Sequence, residues 1–152
     1  QTLQGVLKGA GIDCRVSEEI TRELWRKFMF ICPFSGLTSV VRAPIGVVLE
    51  NVETRGLYLQ AMEEVRAAAS SCGQHFPEEV LGEIVEFTRG LHGDFKSSMQ
   101  RDLERGKPLE LDALNGYVAL LGEDRGFPAP VNGFIASVLA HYRSGGGVGG
   151  VG

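Results

Sequence analysis

The sequence has no long apolar run and no excess of positive charge. Its longest apolar stretch, residues 28–34, is far too short to cross a bilayer. The formal net charge is −4, whereas a protein that binds duplex nucleic acid normally presents a basic face. The charged and then apolar pattern of a signal peptide is also missing at the first residues. We therefore expect a soluble, cytoplasmic protein that binds neither membranes nor nucleic acid.

Cysteine and histidine are scarce, with three of each. Cys14, Cys32 and Cys72 are odd in number, lie far apart and form no CxxC motif, so they predict neither a disulfide framework nor a zinc site. The histidines are equally scattered, without the spacing of metal ligands. We expect reduced thiols and no metal site.

The 152 residues, of which 43% are hydrophobic, suit a single domain with a sizeable core. Ser17 is the expected N-cap of the first core helix, and Pro33 is expected to kink or end it. Helical periodicity with proline and glycine breaks predicts further helices over residues 52–71, 77–89, 95–105, 109–125 and 131–142, with a short helix after Pro44. The prediction is an all-α domain of about seven helices with short connectors.

The periodicity also predicts which side chains face the core. In helix 52–71 the apolar face includes Leu57, Ala61 and Val65, and Glu64 is expected on the opposite face. In helix 77–89, Phe87 is expected to point inward.

The two ends differ from this helical pattern. Residues 12–16 alternate like a short strand, and a lone strand lacks a pairing partner, so residues 1–16 are interpreted as the remnant of an upstream α/β domain. Residues 17–143 form the predicted helical substrate and catalytic domain. Residues 144–152 are glycine-rich and predicted to be disordered.

Within the glycine-rich tail, Gly147, Gly149 and Gly152 match the GxGxxG fingerprint of dinucleotide-binding loops. That motif acts between a strand and a helix whose N-terminus receives the pyrophosphate. No helical pattern follows it in the sequence. We therefore interpret the match as chance and not as a cofactor site.

Lys27 leads the apolar run, although lysine is rarely buried unless it is paired. Its stem could pack on Trp25 and Phe28 while the ammonium reaches water, which composition favours. The alternative is an acid or electrostatic clamp for a carboxylate or carbonyl oxygen. The residues by themselves leave both open.

Three other polar residues have two interpretations each. Glu110 follows Pro108 in the first turn of a predicted helix. It is either a surface acid stabilised by the helix dipole or a residue that contacts a ligand. Ser98 either caps the helix that follows or contacts a ligand. Asn115, before Gly116 in the middle of a predicted helix, costs more helix stability than alanine and indicates close packing or a polar contact. Together the residues predict an all-α domain with a candidate anion pocket.

Five segments, taken in order and spacing, resemble the C-terminal domain of the ketopantoate reductase (2-dehydropantoate 2-reductase) family. They are Glu23–Phe28, Leu37–Thr38, Ser97–Asp102, Gly106–Gly116 and Gly126–Asn132, and the resemblance extends from about residue 12 to about residue 142. It implies a helical fold like the C-terminal domain of 6-phosphogluconate dehydrogenase, placed after an N-terminal Rossmann domain. It also implies NADPH-dependent reduction of a 2-oxo acid in pantothenate and coenzyme A synthesis, with NADP bound mainly by a domain missing from this chain.

The resemblance assigns roles to individual residues. Lys27 matches the family's catalytic lysine, which protonates the carbonyl oxygen, and Glu110 matches an acid near that lysine and the cofactor. Ser98 matches a serine that binds the substrate carboxylate. Ser35 is the substrate-binding candidate two helical turns after Lys27, and Asn115 is a supporting residue.

Three positions depart from the family pattern. Ile31, Ser35 and Ile45 stand where the family has asparagines that contact substrate. A lost polar contact whose partner stays buried costs roughly 1–3 kcal/mol. We therefore expect ketopantoate to be bound differently, or the substrate to be a less polar 2-oxo acid.

Three further expectations follow. The chain by itself is expected to be inactive, and to form a homodimer through its inter-domain face or a long helix. The alternatives to a reductase are a catalytically silent family member and a non-enzymatic helical interaction module.

Overall fold

The computed structural model describes residues 2–146, which form eight α-helices, two 3₁₀-helices and no strand. The α-helices are α1 (Leu3–Gly9), α2 (Ile20–Val41), α3 (Ile45–Glu50), α4 (Val52–Ser71), α5 (Glu79–Arg89), α6 (Ser98–Glu104), α7 (Asn115–Arg125) and α8 (Pro130–Leu139). The 3₁₀-helices are Glu110–Ala113, here called the 110–113 turn, and Ala140–Tyr142. The predicted all-α fold class is confirmed.

Helix α2 runs through the centre of the domain and packs along α4, with α3, α6 and α8 against its other sides. Pro33 was expected to kink or to end this helix. It lies inside α2 and does not end it. Proline inside a helix removes one hydrogen bond, and its ring crowds the carbonyl group one turn earlier. Every side chain from Cys32 to Ser39 is buried, so packing on several sides compensates for that loss.

The start of α2 differs from the prediction. The N-cap is Glu19, not Ser17. The Ser17 hydroxyl accepts a hydrogen bond from the Glu19 N–H (3.2 Å) and donates to the Glu23 carboxylate (2.7 Å). Ser17 therefore stabilises the turn just before the helix.

Helix α4 has the predicted bounds, and Asn51 caps it by accepting from the N–H groups of Glu53 and Thr54. Three predictions of facing were wrong, the first being Leu57 of α4, which is 40% exposed instead of facing the core. Glu64 is only 5% exposed, because the start of α8 packs on it. Phe87 of α5 is 58% exposed and lies edge-on to Phe30, with ring centroids 5.2 Å apart.

The predicted helix 109–125 is divided into the 110–113 turn and α7. Leu114 separates them with φ −112° and ψ −105°, which no α-helix tolerates. Asn115 is therefore the first residue of α7 and not a mid-helix residue. Helix α6 likewise begins at residue 98 instead of 95, and the last predicted helix is divided after Leu139.

At the N-terminal end, α1 carries no buried residue, and residues 12–17 have no regular structure. The short strand predicted there was wrong, since no other strand lies within residues 2–146 to pair with it. At the other end, Gly146 donates its N–H to the Gly106 carbonyl (3.1 Å). The glycine fingerprint at 147–152 lies outside the described residues, and the division into three regions remains a prediction.

None of the described helices is both long and apolar enough to cross a membrane. Within residues 2–146 there is also no group of three or more histidine, cysteine, aspartate or glutamate side chains that could hold a metal ion.

Candidate functional site

A cavity of about 680 Å³ opens between the N-terminal half of α2 and the 110–113 turn with the start of α7. We call it the α2–α7 cavity. Its lining from α2 consists of Thr21, Leu24, Trp25, Lys27, Phe28 and Ile31, and its lining from the opposite side consists of Glu110, Ala113, Leu114 and Tyr117. The walls are thus mostly apolar or aromatic, with one ammonium and one carboxylate.

Helical geometry explains the α2 wall, because residues three or four apart share one face of a helix. Leu24, Phe28 and Ile31 follow that spacing. The aromatic rings in the wall contact each other edge to face: Trp25 with Phe28 at 5.7 Å, and Phe28 with Tyr117 at 6.3 Å between centroids. Phe28 therefore connects the two sides of the cavity.

Lys27 is exposed at the edge of this cavity. Its charged neighbours on α2 are paired, Arg26 with Glu83 (2.6 Å) and Glu23 with Arg15 (2.8 Å). Lys27 itself forms no salt bridge within residues 2–146. The ammonium reaches water, which agrees with the interpretation of Lys27 as a surface lysine. It also lies beside an apolar cavity, which its interpretation as an acid or electrostatic clamp requires.

Lys27 also lines a second, smaller cavity of about 370 Å³. That cavity holds the Arg15–Glu23 and Arg26–Glu83 pairs, together with Phe30 and Phe87 at its apolar side. Lys27 therefore stands on the ridge between an apolar and a polar concavity. Since the other charges of the ridge neutralise one another, Lys27 is its uncompensated cation.

Glu110 is the first residue of the 110–113 turn and lines the α2–α7 cavity opposite α2. The turn is held to the end of the described chain at two points. The Leu109 N–H donates to the Arg143 carbonyl (3.0 Å), and Arg143 forms a salt bridge with Asp112 (3.1 Å). Glu110 thus begins a short anchored turn and not the α-helix that the sequence predicted.

The other predicted site residues do not line the α2–α7 cavity. Ser98 is exposed at the start of α6, and Ser35 is buried in α2. The cap of α6 is Ser97, not Ser98: its hydroxyl accepts from the Gln100 N–H (3.0 Å). Ile45 is fully buried in the core, away from the cavity. The structure therefore brings together Lys27, Ile31 and Glu110 and leaves the serines apart.

Comparison with known proteins adds the family. Residues 19–143 match the model of the ketopantoate reductase PanE/ApbA C-terminal domain. The chain belongs to this family.

Among curated relatives, the 2-dehydropantoate 2-reductase of Mesorhizobium japonicum is 34% identical over 134 residues, which cover 88% of this chain and 40% of that protein. The solved dimeric ketopantoate reductase of Staphylococcus aureus superposes with a TM-score of 0.86 at 22% identity, over 92% of this chain and 49% of that one. The structure of D-mandelate dehydrogenase in complex with NADH superposes with a TM-score of 0.83 at 18% identity, over 93% of this chain and 48% of that one. These two structures show the fold. The chain spans about half the length of such relatives, or less.

In this member of the ketopantoate reductase family, Asn115 contacts a buried polar network and not the cavity. Its side-chain amide donates to the Asn132 carbonyl oxygen (2.8 Å), and Asn132 donates to Glu64 (2.7 Å). Glu64 also accepts from the backbone N–H groups of Val131 and Asn132, both at 2.9 Å. This network joins α7, α8 and α4.

Cys32 adds α2 to the same network, because its thiol lies 3.3 Å from the Asn132 carbonyl oxygen. Burial raises the pKa of the Cys32 thiol well above its ordinary value, and the negative charge of Glu64 raises it further. The sequence did not lead us to expect that Glu64, Asn132 and Cys32 form a buried polar network. A signal for Glu64 was present, since residues 61, 64, 65 and 68 share one helical face.

Proposed function

We propose that this chain is the substrate-side part of a nicotinamide-dependent 2-oxo acid reductase, in which Lys27 protonates the substrate oxygen. The observation that supports it is that Lys27 and Glu110 line the same apolar-walled cavity, in a chain of the ketopantoate reductase family. The conversion of 2-dehydropantoate to pantoate, and with it a place in pantothenate and coenzyme A synthesis, is proposed from the relatives named 2-dehydropantoate 2-reductase.

The chemistry assigned to this chain is charge and proton transfer. The ammonium of Lys27 would donate one proton to the carbonyl oxygen of the 2-oxo acid while the carbonyl carbon is reduced, giving a 2-hydroxy acid. Lys27 is left neutral by this step. Because it is exposed, it can regain a proton from water.

The reduced nicotinamide, proposed to be NADPH, supplies the hydride when bound. The described residues do not form a dinucleotide site, since residues 2–146 contain no strand followed by a glycine-rich loop and a helix. We propose that the cofactor is bound mainly by a domain outside this chain. We propose that Glu110, which lines the α2–α7 cavity, contacts this cofactor, as the family resemblance implies.

Ser98 and Ser35 are proposed substrate contacts on the resemblance alone. Both lie outside the α2–α7 cavity. We also propose a homodimer, because large apolar side chains on α7 and α8 (Leu120, Phe134 and Val138) are at least 43% exposed. Light scattering on the purified chain tests this, and a monomer at high concentration would contradict it.

The test of the reductase uses the full product of the gene that encodes this chain, with NADPH and ketopantoate or another 2-oxo acid. We expect Lys27→Ala to lower kcat by about 10²–10⁴-fold, the usual contribution of a positioned acid. The control is Lys8→Ala, which removes an exposed lysine of α1. Unchanged kcat in Lys27→Ala would exclude Lys27 as the proton donor.

A catalytically silent protein is the second candidate, favoured by the aliphatic Ile31 beside Lys27 in the cavity. A folded gene product that binds NADPH and reduces no 2-oxo acid would support it. If the chain were instead a non-enzymatic helical interaction module, Lys27→Ala would have no effect in any assay.

A further inference from the structure

The walls of the α2–α7 cavity offer few hydrogen-bonding partners. Apart from Lys27, Glu110 and the single polar groups of Thr21, Trp25 and Tyr117, the lining is apolar: Leu24, Phe28, Ile31, Ala113 and Leu114. The rings of Trp25 and Tyr117 pack around Phe28. A polar ligand group placed against these walls would lose its bonds to water without replacement. The cavity therefore favours an apolar ligand group.

The charge at the edge of the cavity selects the other end of the ligand. Lys27 forms no salt bridge within residues 2–146, while the neighbouring arginines are paired. An anionic or carbonyl group is the natural partner for this free ammonium. One ligand that satisfies both features has an oxo acid head and an apolar tail.

Ile31 is placed to discriminate between such tails. It follows Lys27 by one helical turn on α2, so its side chain lies next to the lysine on the same face and lines the same cavity. A ligand whose head contacts Lys27 meets Ile31 as the adjacent wall. The volume of about 680 Å³ is in the range of small-molecule sites and leaves room for a branched or aromatic tail.

We infer that the α2–α7 cavity binds the apolar side chain of a 2-oxo acid, and that Ile31 determines the preference for an apolar over a hydroxylated side chain. This inference rests on the proposed reductase function. Within that function it replaces 2-dehydropantoate, as the preferred substrate of the same site, with 2-oxo acids that have an apolar branched or aromatic side chain.

The kinetic test compares 4-methyl-2-oxopentanoate with ketopantoate, using NADPH and the full gene product. We expect kcat/KM to be at least about tenfold higher for 4-methyl-2-oxopentanoate, as hydrophobic pockets discriminate by about 10–200-fold. In Ile31→Asn this ratio should fall by about tenfold or more. The control Ile20→Asn changes an exposed isoleucine of the same helix outside the cavity and should keep the ratio.

A binding test needs no turnover. Trp25 is the single tryptophan of the chain and lines the cavity, so its fluorescence reports ligands there. Titration of the chain with 4-methyl-2-oxopentanoate should give a saturable change, with a Kd at least about tenfold lower than for ketopantoate. Ile31→Val should keep this preference, and Ile31→Asn should lose it. Circular dichroism shows whether each variant is folded.

The outcomes separate the two proposals. Turnover of ketopantoate equal to or better than that of the apolar acid overturns the inference and leaves the reductase in place. Binding of the apolar acid to a folded, NADPH-binding protein without turnover overturns the reductase and keeps the apolar acid site. No saturable change in Trp25 fluorescence with the apolar acid overturns the inference.

Discussion

Glu64 shows how one buried carboxylate can organise the polar core. It accepts three hydrogen bonds, two of them from backbone N–H groups in the first turn of α8. Those N–H groups have no partner within their own helix. Glu64 therefore acts as a cap for α8 that is supplied by α4, which is distant in sequence.

We expect Glu64→Ala to lower the free energy of unfolding by roughly 2–4 kcal/mol, because it leaves at least two buried donors unpaired. Urea denaturation measures this. The matched control is Glu63→Ala, which removes a partly exposed ion pair with Arg66 and should cost less than about 1 kcal/mol. Equal losses in the two variants would contradict the capping role.

Tyr58 is a second residue whose environment has a measurable consequence. It is fully buried in α4, and its hydroxyl lies 3.2 Å from the Thr88 hydroxyl. Thr88 donates its own hydrogen to the Ile84 carbonyl (2.7 Å), so Tyr58 is the donor between the two. Burial raises the pKa of Tyr58 from 10.0 to about 12, and the Thr88 hydroxyl, which can turn to donate to the phenolate, lowers it in return.

The pH dependence has a defined sign. The pKa of Tyr58 is higher in the folded than in the unfolded chain. Its contribution to the free energy of unfolding is therefore complete below pH 10 and is lost as the pH rises towards 12. Between these values the free energy of unfolding should fall by up to about 1.4 kcal/mol per pH unit. Tyr58→Phe should remove this loss at a cost of about 1 kcal/mol at neutral pH.

Thermal unfolding of the wild type and Tyr58→Phe at pH 8 and pH 11 measures the difference. Tyr117→Phe, which changes an exposed tyrosine, is the control and should follow the wild type. Parallel alkaline losses in the wild type and Tyr58→Phe would show that Tyr58 is not responsible.

Among the helices, the close approach of α2 and α7 depends on one glycine. A Cβ atom on Gly36 would lie 2.7 Å from the side-chain nitrogen of Asn115 and 2.8 Å from its oxygen. Asn115 is fully buried, and its amide reaches Asn132 across this contact. The absence of a side chain at Gly36 is thus a requirement of the packing between two helices.

We expect Gly36→Ala to destabilise the protein by about 1–3 kcal/mol, the usual cost of overpacking a core. The control is Gly56→Ala in α4, where an added Cβ meets nothing within 4 Å. That variant should stabilise the protein by roughly 0.5–1 kcal/mol through helix propensity. Urea denaturation of both variants tests the pair of predictions, and losses of the same sign would disprove the argument.

In the whole molecule, Cys32 lies at the junction of four helices. It belongs to α2, its carbonyl and thiol accept from Asn115 of α7, and its thiol also contacts Asn132 of α8, which in turn contacts α4. Exposure of such a residue requires the packed helices to separate, which approaches global unfolding. The other thiols differ, since Cys72 is exposed and Cys14 is half-buried.

We expect thiol labelling with a disulfide reagent to be biphasic. Cys14 and Cys72 should react in the native state, whereas Cys32 should react at a rate limited by unfolding and accelerated by urea. The raised pKa of Cys32 in the folded protein also suppresses direct reaction in the native state, because the thiolate is the nucleophile. In Cys32→Ser only the fast phase should remain. A single common rate for the three thiols would contradict the burial of Cys32.

The sequence by itself determined the fold class, the bounds of α4 and the resemblance to the ketopantoate reductase family. These depend on local signals: helical periodicity, caps, and the order of short motifs along the chain. It also singled out Lys27 and Glu110 as candidate site residues. Such features can be read because each involves residues within a few positions of one another.

Only the tertiary structure decided which of these residues share a cavity. It placed Ile31 in one cavity with Glu110 and buried Ile45 in the core, although both isoleucines stand where the family has asparagine. It also divided the predicted helix 109–125 at Leu114 and placed the Glu64 side chain in the core. The physical reason is the same in each case: the favourable contacts lie between helices distant in sequence, where packing and buried hydrogen bonds outweigh local propensity.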